Sequence, residues 1–373
     1  MASAQLQPQL HERWLREKTV RDVLLMEGSR RRLVEVPYTA SLTDTMNALV
    51  ANNVSAVPVA APPGQWIGAG GSMILESDRT TGAIRKHYIG MVTMLDIIHH
   101  IAEATDEDDG NTPVSLDDRM AVSVSAIIGH STEGLNLWTL NPSTSLLDCL
   151  EVFSKGIHRA LVPLDSVHVA GVEISESSPG YQMLTQMDVV RFIMQRGMEL
   201  RGILTQSVAE LGAVNEYVFS VKRHTRVIEA IKFMRSASVT ALPIVESSGQ
   251  DREVANAKGK KLIGTFSATD LRACPIALLR PSLNMGVMEF IETIAVQPST
   301  GQGPAADVGY SSPARKLIAC YRDTSLAEVM NEAVNWHVHR VWVVDHASGM
   351  LSGLVSLTDM FKALRVSILG TDA

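Results

Sequence analysis

The sequence predicts an α/β (α+β) chain of four repeats, each ordered strand, helix, strand, strand, helix. Two observations carry this. The first is a heptapeptide with a hydroxyl three residues on and an aspartate six residues on. It reads GMVTMLD at 90–96, QMLTQMD at 182–188, GTFSATD at 264–270 and GLVSLTD at 353–359. Its aspartates lie 92, 82 and 89 residues apart, and a near-constant period of this kind is the mark of repeat architecture. The second is an amphipathic helix ahead of each heptapeptide, with apolar residues at i, i+3, i+4 and i+7 and an acidic residue at the capping-box position.

Residues 1–17 read as a tail. The first repeat (18–104) opens on a strand at 33–36. Ser41 then caps a helix striped by Leu42, Thr45, Met46, Leu49 and Val50, with Asp44 at the box position. A strand at 54–59 follows, then an insertion at 60–87 rich in glycine and proline, then the heptapeptide strand and its helix. Residues 105–116 form an acidic linker, which reads as a solvated charge run. The second repeat (117–200) has a strand at 137–140 and a stripe of Leu146, Cys149, Leu150 and Phe153 with Asp148. The third (201–280) has 218–222, then Val227, Ala230, Ile231 and Met234 with Glu229. The fourth (281–368) contains a loop at 297–313, a strand at 317–320, and Leu326, Val329, Met330, Ala333 and Val334 with Glu328.

With 373 residues, 46 % of them hydrophobic, the chain has material for at least two cores. A net charge of −7 gives no electrostatic footprint for nucleic acid. Cys149, Cys274 and Cys320 show no paired spacing, no apolar run reaches membrane-span length, and no secretory leader is visible, so the expected location is the cytoplasm and/or nucleus. A nucleophile motif, a metal-ligand cluster and a P-loop are all missing, which argues against an enzyme. His99 and His100 read as packing or surface residues rather than a metal pair.

A strand-to-helix junction bearing Gly, Ser/Thr and Asp suits a phosphorylated nucleoside. The helix N-terminus favours phosphate, a glycine admits close approach, and a carboxylate can accept from sugar hydroxyls. The same residues are also ordinary N-cap chemistry. Converging His–Arg pairs at 158–159 and 339–340 call for an anion, and the planar guanidinium fits phosphate in a bidentate manner.

A β-α-β-β-α unit ending in this junction resembles the CBS domain. Four units imply two Bateman pairs forming a flat disc around a solvent channel. The segments ANNVSAVPV (51–59), GIHRALVPLD (156–165), SVTALPIVE (238–246), LIACYRDTSLAEVM (317–330) and VHRVWVVD (338–345) are similar to the γ regulatory subunits of AMP-activated and sucrose-non-fermenting-type protein kinases. The 60–87 insertion resembles their plant γ-like branch.

The resemblance implies AMP, ADP or ATP as ligands, with no catalytic cofactor and no metal. It implies a phosphate role for His158, Arg159, His339 and Arg340, with Arg191 and Lys222 as further basic residues. It implies a ribose role for Asp96, Asp188, Asp270 and Asp359, and a ribose or phosphate contact for Thr93, Thr185, Ser267 and Ser356. The implied partners are catalytic α and scaffold β subunits of such a kinase. Three departures stand out. Gln182 replaces the glycine of the second heptapeptide. Ser55 stands where the family has a phosphate-binding arginine. Counted from the helix cap, His158–Arg159 sits one residue out of register with His339–Arg340. These departures support an alternative, a kinase-associated scaffold with degenerate pockets.

Overall fold

The helix caps form as the sequence dictates. In a computed structural model of the chain, Ser41, Ser145 and Ser325 each accept from the backbone N–H of Asp44, Asp148 and Glu328. In the third repeat Glu229 accepts from the Arg226 backbone N–H at 3.2 Å and from its guanidinium at 2.8 Å, which is the carboxylate half of the box alone. These caps start α3 (Leu42–Ala51), α6 (Leu146–Ser154), α9 (Val227–Ser236) and α13 (Leu326–Asn335). The apolar stripes face inward: Leu42, Met46, Leu49, Cys149, Phe153, Ile231, Met234, Val329 and Met330 are buried. Each helix ends on a residue of positive φ or shortly before one, at Asn53, Gly156, Ser238 and His337, and the chain turns there into its central strand. The structure describes residues 2–26, 32–61, 88–103, 116–129, 137–164, 180–246, 256–272, 274, 276–296 and 317–370. The acidic linker up to residue 115 and the 297–313 loop lie outside these residues, as does nearly all of the 60–87 insertion.

Each repeat carries a small sheet. In the first, β1 (Val36–Pro37) runs parallel to β2 (Ala56–Ala60), which pairs antiparallel with β3 (Tyr88–Thr93). In the second, β4 (Arg159–Pro163) pairs with β5 (Tyr181–Thr185), and a parallel bridge from Thr139 to Leu161 stands in for the first strand. The third has β6 (Val221–Lys222), β7 (Ala241–Glu246) and β8 (Lys261–Ser267), and the fourth β9 (Ala319–Cys320), β10 (Arg340–Val344) and β11 (Leu351–Ser356). The heptapeptide helices follow: α4 (Met94–Glu103), α7 (Gln186–Arg196), α10 (Ala268–Arg272) and α14 (Leu357–Leu369).

The leading segments of the repeats are exchanged within each pair. Val20 N–H donates to the carbonyl of Thr144 at 2.9 Å, and Leu146 N–H to that of Lys18 at 2.7 Å, so the start of repeat one docks on the helix cap of repeat two. In return, Leu42 N–H reaches Val122 at 3.0 Å and Val124 N–H reaches Ala40 at 2.8 Å. The second pair repeats the pattern. Val208 bonds Thr324 and Leu326 bonds Gln206, while Val227 bonds Met285 and Val287 bonds Thr225. The short helices of these segments are therefore packed across the pair: α2 (Val20–Leu24), α5 (Leu116–Met120), α8 (Arg201–Leu204), α11 (Ile276–Ser282) and α12 (Val287–Val296).

Two cores weld the pairs together. One joins repeats one and three, from Leu42 and Ile97 to Ile231, Phe266 and Phe290. The other joins repeats two and four, where Phe153 and Phe361 lie 6.0 Å apart between centroids. Within a pair, the sheets meet at Tyr88 and Tyr181 (5.6 Å, edge-on), and at Trp342, whose Nε1 donates to Thr265 Oγ1 at 2.7 Å. The contacts close a four-member ring in the order one, two, four, three. Residues 1–17, read as a tail from the sequence, are instead helix α1 (Ala2–Glu17). Its His11, Trp14 and Leu15 are buried, the last two in the second core, with Trp14 stacked on Phe192 at 6.0 Å. Among the described residues no helix is long and apolar enough to cross a membrane.

Candidate functional site

The heptapeptide places its hydroxyl and its carboxylate at equivalent points of all four repeats. Thr93, Thr185, Ser267 and Ser356 end β3, β5, β8 and β11 and start the following helix. Each donates its hydroxyl to Oδ2 of Asp96, Asp188, Asp270 or Asp359, at 2.7, 2.6, 2.9 and 2.5 Å. The backbone N–H of the same residue donates to the same oxygen, at 2.8, 3.0, 2.6 and 2.8 Å. The carboxylate half of the capping box is thus realised in every repeat, and in repeats one, two and four the aspartate N–H donates back to the hydroxyl. The hydroxyl proton is held by the cap, and both cap bonds fall on Oδ2. Asp96 and Asp270 are only 4 % and 1 % exposed.

The glycines do something other than admit a ligand. A Cβ on Gly353 would stand 2.7 Å from Val214 Cγ1 and 2.8 Å from the Asn215 carbonyl, because the chain leading into repeat three crosses β11 there and bridges to Leu354. A Cβ on Gly264 would meet Ile244 Cδ1 at 3.1 Å and Met288 Sδ at 3.3 Å. These glycines serve close packing of protein on protein. Gln182 occupies the same ladder position in repeat two, opposite Val162 as Gly353 is opposite Val343, and is buried there.

Strand register corrects the offset read from the helix caps. Arg159 is the ladder partner of Thr185, and Arg340 that of Ser356. His158 and His339 each stand one residue earlier, with their carbonyls accepting from Gln186 and Leu357 N–H at 3.1 Å. The single-residue difference is absorbed by the helices, since α6 has 9 residues and α13 has 10. In repeats one and three the ladder partners of Thr93 and Ser267 are Ala56 and Ala241. Ser55 and Thr240 therefore hold the places that the histidines hold in the even repeats.

The two arginines reach across their pairs. Arg340 Nη1 donates to the Ala241 carbonyl at 3.0 Å and Nη2 to Thr240 Oγ1 at 2.5 Å. Arg159 Nη2 donates to Ser55 Oγ at 2.7 Å. Arg340, Ser356 and Asp359 are thereby joined to the Ser267–Asp270 junction, and Arg159, Thr185 and Asp188 to the Thr93–Asp96 junction. Burial pushes the Arg340 guanidinium down to about 10, against the pull of Asp359, so it is still charged at neutral pH. Burial also raises the Asp359 carboxyl above its ordinary value, outweighing the Ser356 hydrogen bonds and the attraction of Arg340.

Arg191 reaches the aspartate of its own repeat's junction, and Lys222 lies away from its junction. Arg191 is on α7, 3.6 Å from Asp188 Oδ1, and its Nη2 is 3.0 Å from His337 Nδ1 at the contact of repeats two and four. Lys222 pairs with Val245, four residues along β7 from Ala241, which is roughly 13 Å from the junction of its own repeat. Clefts of about 570 and 420 Å³ open beside α1, lined in part by Trp14 and Glu199, and none of the expected site residues lines them. His99 is buried with its ring against Arg235 Nη1, 3.1 Å from Nε2. The thiols of Cys149 and Cys320 are pushed up to about 12, chiefly by burial. Among the described residues no group of acids, histidines and cysteines could hold a metal.

Sequence reasoning did not find Ser55 and Thr240 as the hydroxyls that hold the arginines. The signal was present in the sequence, as one hydroxyl residue directly before the central strand of each odd repeat.

Four β-α-β-β-α units, paired through their sheets and ringed through their helices, define a CBS-domain protein. The CBS domain family model matches residues 208–275 and 305–366. The chain belongs to the gamma-like family of SNF1-related protein kinase regulatory subunits. It is 48 % identical over 355 residues to SNF1-related protein kinase regulatory subunit gamma-like PV42b of Arabidopsis thaliana, covering 94 % of this chain and 95 % of that protein. It is 48 % identical over 348 residues to PV42a of the same plant, covering 91 % and 93 %. Among solved structures, protein MJ1225 from Methanocaldococcus jannaschii shares the fold, with a TM-score of 0.60 at 15 % identity over 92 % of this chain and 99 % of that one.

Proposed function

We propose that the chain is a non-catalytic regulatory subunit of an energy-sensing protein kinase, and that it binds AMP, ADP or ATP in a cleft within each repeat pair. The observation that carries the reading is Arg340. Its guanidinium is desolvated, and its two hydrogen-bond acceptors, Ala241 O and Thr240 Oγ1, are both neutral. The nearby Asp359 carboxylate has Oδ2 committed to the Ser356 cap. A buried cation with that surrounding is best compensated by an anion, and a phosphate fits the planar fork. Asp359 Oδ1 is the oxygen outside the cap bonds and has the chemistry to accept from a ribose hydroxyl.

The names of the relatives support the kinase side of this reading, with catalytic α and scaffold β subunits as partners in the cytoplasm or nucleus. Regulation then follows from differential affinity: AMP and ATP place different charge beside the arginines, and only a ligand that distinguishes two states of the assembly shifts it.

Calorimetry of the full chain with AMP, ADP and ATP tests the ligand, with micromolar affinity and a rise in Tm as the expected result. A flat response at millimolar nucleotide refutes it. A second reading, a kinase scaffold with degenerate pockets, rests on Ser55 and Gln182. Pull-down of kinase subunits with and without AMP separates the two, since the scaffold associates equally in both.

A further inference from the structure

We propose that the groove between α1 and the end of α7 is a docking site for an acidic, amphipathic segment of another protein. The inference goes beyond the nucleotide reading above and does not rest on it, since no junction residue lines this groove.

The two clefts beside α1 share Trp14 and Glu199, so they adjoin, with about 570 Å³ in one and about 420 Å³ in the other. Their rim is apolar at three places. Leu10 and Met198 on the first cleft are 54 % and 73 % exposed, and Leu25 on the second is 56 % exposed. Large apolar side chains gathered around one concavity mark a contact surface. His11 lines the first cleft at only 7 % exposure. Among the described residues its ring has no hydrogen-bond partner, and burial lowers its pKa, so it is neutral at neutral pH. One ring nitrogen then donates and the other accepts, which suits an amide or a hydroxyl brought in by a ligand. A buried polar group left without a partner is costly, so supplying one favours binding.

The charges decide the kind of partner. Arg13 is paired with Glu17 at 2.7 Å, and Asp22 Oδ2 is taken up by Thr19 at the start of α2. Lys18, Arg196 and Arg201 make no ion pair among the described residues, and only Glu199 stands against them. The groove is thus cationic on a chain whose net charge is −7. A two-fold contact with a second copy would set these cations against themselves. A segment with carboxylates for the three cations and apolar side chains for Leu10, Met198 and Leu25 answers both features, and a concave site suits a protein segment better than a lipid surface.

The test is a random peptide library displayed on phage, selected on the full chain. Enriched peptides are expected to mix Asp or Glu with Leu, Met or Phe. The double variant Arg196→Glu with Arg201→Glu is expected to weaken their binding at least about tenfold, with Tm and AMP binding as in wild type. Met198→Ser is expected to weaken it by about threefold. A peptide with lysines in place of its acids is expected to prefer the double variant, which a merely unfolded variant could not produce. Absence of enrichment, basic or uncharged winners, or an affinity that these variants leave unchanged overturns the proposal. So does a dimer in ultracentrifugation that Met198→Ser dissociates, which gives the groove to a second copy. Binding to vesicles of phosphatidylcholine with phosphatidylserine, lost in the double variant and without any peptide partner, overturns it in favour of a membrane.

Discussion

The two repeat pairs use the same junction and, among the described residues, join their halves through different contacts. In the second pair, Arg340 has two acceptors on repeat three, Trp342 donates to Thr265, and the backbone at Asn215 crosses β11 over Gly353. A separate apolar cluster of Val218, Val245, Leu262, Trp342 and Leu351 fills the seam. In the first pair, Arg159 meets Ser55, the sheets touch through Tyr88 and Tyr181, and Tyr88 donates to Glu35. Repeat two has a bridge where the others have a strand. The lesson is that helix caps and ladders are reproduced from repeat to repeat, while the seams between repeats are individual.

The largest test of that contrast is at the arginines. Arg340→Ala is expected to weaken AMP binding in the second pair by about 100-fold, as befits loss of charge-assisted hydrogen bonds to a buried anion. Calorimetry on the variant checks this, and an unchanged affinity would remove Arg340 from the site.

Next comes the crossing. Gly353→Ala puts a carbon within 2.8 Å of a backbone carbonyl that cannot swing aside, so a loss of about 1–3 kcal/mol is expected in urea denaturation. Gly264→Ala meets the ends of Ile244 and Met288 side chains and is expected to cost less. A Gly353→Ala protein as stable as wild type would mean that the crossing is not tight.

The helix caps should not respect the division. Ser145→Ala and Ser325→Ala are each expected to cost about 1 kcal/mol, because both remove the same N-cap acceptor. Unequal costs would place part of the asymmetry inside the repeats.

The smallest effect is on pH dependence. The Asp359 carboxyl is raised in the folded chain by burial, so its contribution favours folding below the ordinary value of 3.8 and is lost as pH rises through the raised one. Asp359→Asn removes this loss. Its stability relative to wild type is expected to climb with pH across that window and then level off. Parallel denaturation series at several pH values would show it, and a flat difference would contradict it.

Much of the local structure was legible. Ser–x–x–Asp/Glu before an apolar stripe specifies a capped helix by nearest-neighbour chemistry, and it formed at Ser41, Ser145 and Ser325. The Asp of each heptapeptide fell at the same junction for the same reason. The N-terminal helix was also within reach, since His11, Trp14 and Leu15 show helical spacing. What could not be read was any pairing across repeats. Arg340 with Thr240, Gly353 with Asn215, and the exchanged leading segments join residues far apart in the chain, and such contacts leave no short-range pattern. The glycine of the heptapeptide shows how this misleads. Close approach was inferred correctly, but the object approaching Gly353 is the chain's own backbone.

The exchange has a consequence for synthesis. When the ribosome has emitted the first repeat alone, the cap of α3 lacks Val122 and Val124, and the strip at Lys18–Val20 has nowhere to lie until Thr144 and Leu146 emerge. Cutting the chain between repeats one and two therefore yields two halves that each miss a piece held by the other. The smallest portion of this molecule that can close its own backbone hydrogen bonds is a pair.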